Sequence, residues 1–163
     1  MGRPEVPGLR WTTPDQWHTT LRFLGSVADP APALATLAAL EGLGGAAAVA
    51  RLGPAVGRFA DRVLHVAVAG LDRLATAVIA ATAGIGQPPE DRPFFGHITL
   101  ARPQGRSRVR LQPLTGGELS GSWPVSEVTL VASTTHSLGA RYEILGRVPV
   151  DQVPVDQVPG EVP

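Results

Sequence analysis

Between Trp17 and Gly25 the chain alternates: Thr19, Leu21 and Phe23 stand at odd positions, with His18, Thr20 and Arg22 between them. A period of two belongs to a strand, so this stretch predicts one with its Leu/Phe face inward and His18 and Thr20 together on the other face. A second stretch, FGHITLA from Phe95 to Ala101, alternates in the same way, carries His97 and Thr99, and is ended by Pro103. Both stretches read His-x-Thr-Leu.

The elements between and after them follow from similar signals. Asp29-Pro30 opens a helix, since Asp can cap and Pro suits a first turn, and Leu34, Leu37, Leu40 and Leu43 recur at helical spacing up to Gly44-Gly45. The stretch from Arg62 to Val68 reads as a buried strand, since Val63, Leu64, Val66, Ala67 and Val68 are apolar and only His65 interrupts them. Leu71, Leu74, Ala75, Val78 and Ile79 then fall on one helical face, with Gly84 past the end. Val125–Ser133 reads as a strand whose hairpin partner is Ala140–Val148 across the turn TTHSLG.

Strand–helix–strand–helix–strand and a hairpin predict an α+β fold with two similar lobes, each holding one His-x-Thr strand. No glycine-rich phosphate loop opens either helix, which argues against a doubly wound sheet. Residues 1–150 are expected to form one domain. Val-Pro-Val-Asp-Gln occurs at Val148 and again at Val153, and its regular prolines predict an extended or disordered tail over 151–163.

Composition narrows the chemistry. The chain has 163 residues and balances 14 basic against 14 acidic groups, so no bulk field draws it to nucleic acid or membrane. Every basic residue is Arg, whose planar fork can grip a phosphate. There is no Cys, which excludes thiol nucleophiles, disulfides and Cys-ligated metals. No apolar signal core opens the chain and no stretch nears the roughly 18 apolar residues of a membrane span, so a cytoplasmic protein is expected.

On a strand, residues two apart share a face, so each motif presents an imidazole beside a hydroxyl. Two such pairs facing one cleft suit phosphoryl chemistry: one His activates a water or hydroxyl, the other protonates the leaving oxygen, and the Thr hydroxyls hold the phosphate oxygens. One His-x-Thr alone would mean little; two copies on strands mean much more. A zinc site from His18, His65, His97 and His136 has no short ligand spacing and no accompanying carboxylate, so neither metal nor other cofactor is expected.

RWTTPDQWHTTLRFLG and EDRPFFGHITLAR resemble the two signatures of the 2H phosphoesterases, in particular the bacterial RNA 2′,3′-cyclic phosphodiesterases, or 2′-5′ RNA ligases. The likeness runs from Leu9 to Val150 through DRVLHVAVAGLDRL and GARYEILGRVPV. It implies a bilobal α+β fold around a central cleft, and a metal-independent opening of a 2′,3′-cyclic phosphate on RNA or a nucleotide to a 2′-phosphomonoester. It also implies weak 2′-5′ ligation, His18 and His97 as the catalytic pair, His97 as base and His18 as acid, and Thr20, Thr99 and Arg102 as phosphate-binding groups. In the family a strand and a helix come before the Arg-Trp segment, so the N-terminal strand and helix are expected to be missing here, and a homodimer pairing at the open edge would cover the gap.

Periodicity alone turns Arg102 to the face opposite His97 and Thr99; only a twist, a bulge or the strand end can bring it back. Trp17 and Phe95 flank the motifs and can stack on a base or pack in the core; Trp11 carries the same two readings. Arg106, with Arg108 and Arg110, forms a basic loop that either follows an RNA backbone or is simply solvated. His65 reads as a packing substitution and His136 as an exposed turn residue. Rival readings are a non-catalytic RNA- or nucleotide-binding module and a phosphodiesterase of small cyclic nucleotides.

Overall fold

The computed structural model describes residues 3–40, 48–136 and 139–150. In chain order the elements are β1 (Leu9–Trp11), α1 (Ala31–Ala38), β2 (Ala48–Phe59), β3 (Val63–Ala69), α2 (Asp72–Ala81), β4 (His97–Pro103), β5 (Gly121–Val125), β6 (Glu127–His136) and β7 (Gly139–Pro149). Short 3-10 turns at Pro14–Gln16 and Gln112–Leu114 interrupt the loops. Five strands form one sheet in the order β1-β4-β3-β2-β5, and β6 with β7 forms a second. Every strand pairing is antiparallel.

β3 explains its own sequence. It lies between β2 and β4, and Val63, Leu64, His65, Val66 and Val68 are all buried, so its run of apolar side chains has cover on both faces. On one face Leu64 packs with Leu9, Val56, Ala101 and Leu111, and Val68 further along joins Ala50 and Leu71. On the other face His65 stacks on Phe59. A third cluster sets Leu37, Leu40 and Val78 from the helical side against Val128, Val148 and Val150 of the hairpin side. Leu21 and Val125 pack against both of the last two clusters and so tie the hairpin lobe to the large sheet.

Both helices start where periodicity placed them, though α1 ends at Ala38, before Leu40, and the Asp29 carboxylate accepts a hydrogen bond from the Ala31 amide at 2.9 Å. Leu43 and the Gly44-Gly45 stop fall outside the described residues, as does the tail over 151–163.

Four expectations change. The first motif is not a regular strand: it contributes one bridge, Thr19 to Ile98, and then leaves the sheet. Phe23 consequently does not face inward but is 64% exposed, because Gly25 at φ 71° turns the chain and Arg22 is drawn aside to Thr82, Ile85 and Gln87. The strand read over Val125–Ser133 is two strands, with Val125 ending β5 in the large sheet and Glu127 starting β6 in the small one. His136 is not in the hairpin turn but ends β6, its backbone paired with Gly139.

Three strands went unread. β1 is only three residues long, and β5 carries Gly121 and Pro124. In β2 the register slips between Leu52 and Val56, around Gly53 and Pro54, so its polar–apolar period breaks in mid-strand.

Leu64 is fully buried at the centre of the large sheet. Leu64→Ala should therefore lower unfolding free energy by about 2–5 kcal/mol in urea titration; a loss well under that range would mean that the core cluster collapses around the gap.

Candidate active site

β4 is the spine of the site. On one edge it pairs with β3, where His65 lies across from Thr99 and Ala67 from His97. On the other edge it meets β1 as far as Trp11–Ala101, and the Thr12 amide adds a bond to the Leu100 carbonyl at 2.8 Å. The chain then detours through the 3-10 turn at Pro14–Gln16 and returns to β4 at Thr19, across from Ile98. In an antiparallel pair centred there, Thr20 falls opposite His97 and His18 opposite Thr99. Ile98 packs toward Ala50, Val68 and Leu71, so the two imidazoles and two hydroxyls occupy the other face together.

Both histidines are held in the same way. The His18 Nδ1 lies 2.8 Å from the Gln16 carbonyl, and the His97 Nδ1 lies 3.0 Å from the Phe95 carbonyl. A carbonyl oxygen only accepts, so each Nδ1 must carry the donated proton. Each neutral ring therefore keeps its lone pair on Nε2 and is ready to take or return a proton there.

Arg102 reaches the same face by a bulge. Leu64 pairs with Ala101 and the next residue, His65, pairs with Thr99, so Leu100 is an extra residue on β4. Leu100 and Ala101 both turn to the core of Leu9, Leu64 and Leu111, and the alternation resumes one residue late. That puts Arg102 back in phase with Thr99, and its guanidinium donates to the Thr99 hydroxyl at 3.5 Å. Thr12 fastens the bulge: its hydroxyl sits 2.8 Å from the Thr99 carbonyl and 3.0 Å from that of Leu100, and it accepts the Trp17 indole N–H at 3.0 Å.

The neighbours of the two histidines differ. Tyr142 of β7 meets His18 edge-on, ring centres 4.7 Å apart, and the Gln16 amide ties the same loop to the Ala140 carbonyl. His97 stands instead against Phe59 of β2 at 4.9 Å and His65 at 5.7 Å, with Phe95 at 6.1 Å. Phe95 is half exposed beside His97, as a base-stacking group would need. Trp17 is exposed too, but its N–H is used by Thr12 and Arg3 lies over its ring at 5.5 Å. Arg106 is exposed in the turn beyond Pro103, at the opposite end of β4 from His97. Among the described residues, no group of three or more His, Asp or Glu is placed to hold a metal ion.

Sequence reasoning missed Phe59, Tyr142 and Arg10, the last paired across the strands with Arg102. Phe59 and Arg10 sit on strands with no clear period. Tyr142 lay inside a recognised stretch, but only tertiary packing sets it on His18. His65 is buried as a packing residue should be, yet it packs on His97. Burial first, and the nearby charge of His97 second, make His65 less basic than an ordinary imidazole.

No protein-family model and no curated protein matches the chain. Solved structures do. The Thermus thermophilus protein TT0787 is 27% identical, with 88% of this chain and 83% of that one covered and a TM-score of 0.66. A phosphoesterase is 29% identical over 89% of this chain and 83% of its own, at a TM-score of 0.61. E. coli LigT complexed with 3′-AMP is 28% identical over 91% and 85%, at 0.59.

The chain belongs to the 2H phosphoesterase superfamily, and LigT is among the structures it is similar to. Its fold is the 2H fold, and these likenesses support chemistry of the phosphoesterase or ligase type. No helix among the described residues is long and apolar enough to cross a membrane.

The buried His65 gives this 2H chain an acid-sensitive fold. Because its folded form is less basic than the ordinary imidazole at 6.5, the unfolded chain takes up the extra proton as pH falls below that value. Stability should therefore be full above the window and decline on acidification through it. Thermal melts across that range should fall more steeply for the wild type than for His65→Phe; parallel curves would show that His65 titrates normally.

Proposed function

We propose that this 2H phosphoesterase hydrolyses 2′,3′-cyclic phosphate ends of RNA or nucleotides to 2′-phosphomonoesters, without a metal. The observation that carries the reading is the bridge between Thr19 and Ile98, which brings two identically latched histidines and their threonines onto one face. With the cyclic phosphate between the motifs, the His97 Nε2 takes a proton from water as the water oxygen bonds to phosphorus. The bond from phosphorus to the ribose 3′ oxygen breaks, and His18, protonated at the start, gives its Nε2 proton to that oxygen. One water is consumed, and the two histidines exchange protons with solvent to reset.

Thr20, Thr99 and Arg102 hold the non-bridging oxygens, where charge builds in the transition state. The bulge supports this role for Arg102, since it turns the guanidinium to the Thr99 side of the strand. A 5′-hydroxyl in place of water would give a 2′-5′ linkage with the same groups, the weak ligation that the resemblance implies. A ribose-linked base beside the phosphate fits against Phe95; Arg106 meets only an RNA long enough to run the length of β4. LigT structures complexed with 3′-AMP, NADP+ and ATP support a nucleotide-sized ligand. A cytoplasmic location goes with such a substrate.

His18→Ala and His97→Ala should each lower turnover of a 2′,3′-cyclic nucleotide by on the order of 10²–10⁴-fold, with folded far-UV spectra, since both side chains lie off the core face. Binding without turnover by the wild type, or a 3′-phosphate product, would overturn the reading.

EDTA should leave the wild-type rate unchanged. Loss of activity on chelation, restored by zinc or manganese, would refute the metal-free route.

A further inference from the structure

The two motifs are alike in sequence and in their carbonyl latches, yet among the described residues only His97 has a third histidine beside it. We propose that His65 is a positioning residue for His97 and not for His18: with Phe59 it forms a two-ring wall that holds the His97 imidazole, making the two motifs unequal. The inference rests on the reading of His97 as a catalytic group.

His65 and Phe59 are stacked, with ring centres 4.0 Å apart and planes 13° from parallel. His97 stands nearly perpendicular to both, at 85° to Phe59 and 73° to His65. A ring set against the side of this stacked pair and held by its Nδ1 latch on Phe95 has little freedom to swing about its χ angles. The wall is itself seated. His65 pairs across the sheet with Gly57, and a Cβ there would come within 3.1 Å of the His65 Nε2, so glycine leaves the imidazole its place. On the β4 side its partner is Thr99, one of the two motif hydroxyls.

The surroundings of His65 also disfavour a charge on the wall. The buried Nδ1 of His65 has no hydrogen-bond partner among the described residues, so no acceptor there stabilises a second ring proton. The groups facing it are Gly57 and Phe59 from β2, His97 and Thr99 from β4, and Phe95 from the preceding loop, with the Arg102 guanidinium on the far side of Thr99. These include cations and no carboxylate, which is consistent with the lowered basicity of His65. Among the described residues, the ring beside His18 is that of Tyr142 and not a histidine.

The test uses the full chain with His65→Ala and His65→Phe. The first removes the wall and the second keeps a flat ring without a nitrogen. With 2′,3′-cyclic AMP, His65→Ala should lose kcat on the order of 10- to 100-fold with KM nearly unchanged, and His65→Phe should recover most of it. Independently of turnover, ¹⁵N spectra of the imidazoles should show His97 with its proton on Nδ1 in the wild type and in His65→Phe. In His65→Ala the His97 signals should shift toward a mixed tautomer while those of His18 stay in place. Unchanged His97 nitrogen shifts in His65→Ala, or equal disturbance of His18, would overturn the proposal. A wild type that turns over no cyclic nucleotide but shows the expected shifts would instead reject the proposed substrate and leave the positioning role standing.

Discussion

One backbone contact decides the site: the single antiparallel bridge between Thr19 and Ile98. Without it the two His-x-Thr segments would be two unrelated stretches of chain, each with a histidine of no particular use. With it, the alternation of side chains across a strand pair sets four functional groups on one face with no further specification. The bridge is isolated because the chain needs the detour through Pro14–Gln16. That turn supplies the Gln16 carbonyl that latches His18, just as Phe95 latches His97 before β4 begins.

The neighbouring bulge serves the same end. A regular β4 would turn Arg102 away from His97 and Thr99. The extra residue Leu100 turns it back, and the cost of an interrupted ladder is offset by Thr12, whose amide and hydroxyl engage the bulged carbonyls. The core gains from it too, since Leu100 and Ala101 both fall on the apolar side. Here packing and site geometry favour the same irregularity.

The first motif has few ladder bonds of its own, so other contacts must keep it on β4. Leu21 packs into two clusters at once, and Arg22 donates to Thr82 and to the carbonyls of Ile85 and Gln87 beyond α2. Gln16 ties the loop to β7, which also brings Tyr142 to His18. The hairpin lobe therefore takes part in the site through its contact with the first motif, and Val125, passing from one sheet toward the other, keeps the two lobes in contact.

Much of this was legible in the residues. The duplicated His-x-Thr-Leu singled out His18, Thr20, His97 and Thr99 as candidates, and strand periodicity correctly read the second copy as part of β4. Helical spacing located both helices, and the apolar run of β3 announced a buried strand. These are local properties, carried by side chains two to four positions apart. What remained was decided by contacts distant in sequence. The bulge at Leu100 exists only in the pairing of β4 with β3, where Leu64 meets Ala101 and the next residue, His65, meets Thr99, and it brings Arg102 into phase. Phe23 alternates as an inward residue yet is exposed, because Gly25 and Arg22 pull the chain off the sheet. Phe59 and His65, separated in sequence from His97, become its wall only when β2, β3 and β4 lie side by side. Residue type and spacing determined which chemistry the chain can perform; strand register, a property of pairs of segments, decided which groups surround it.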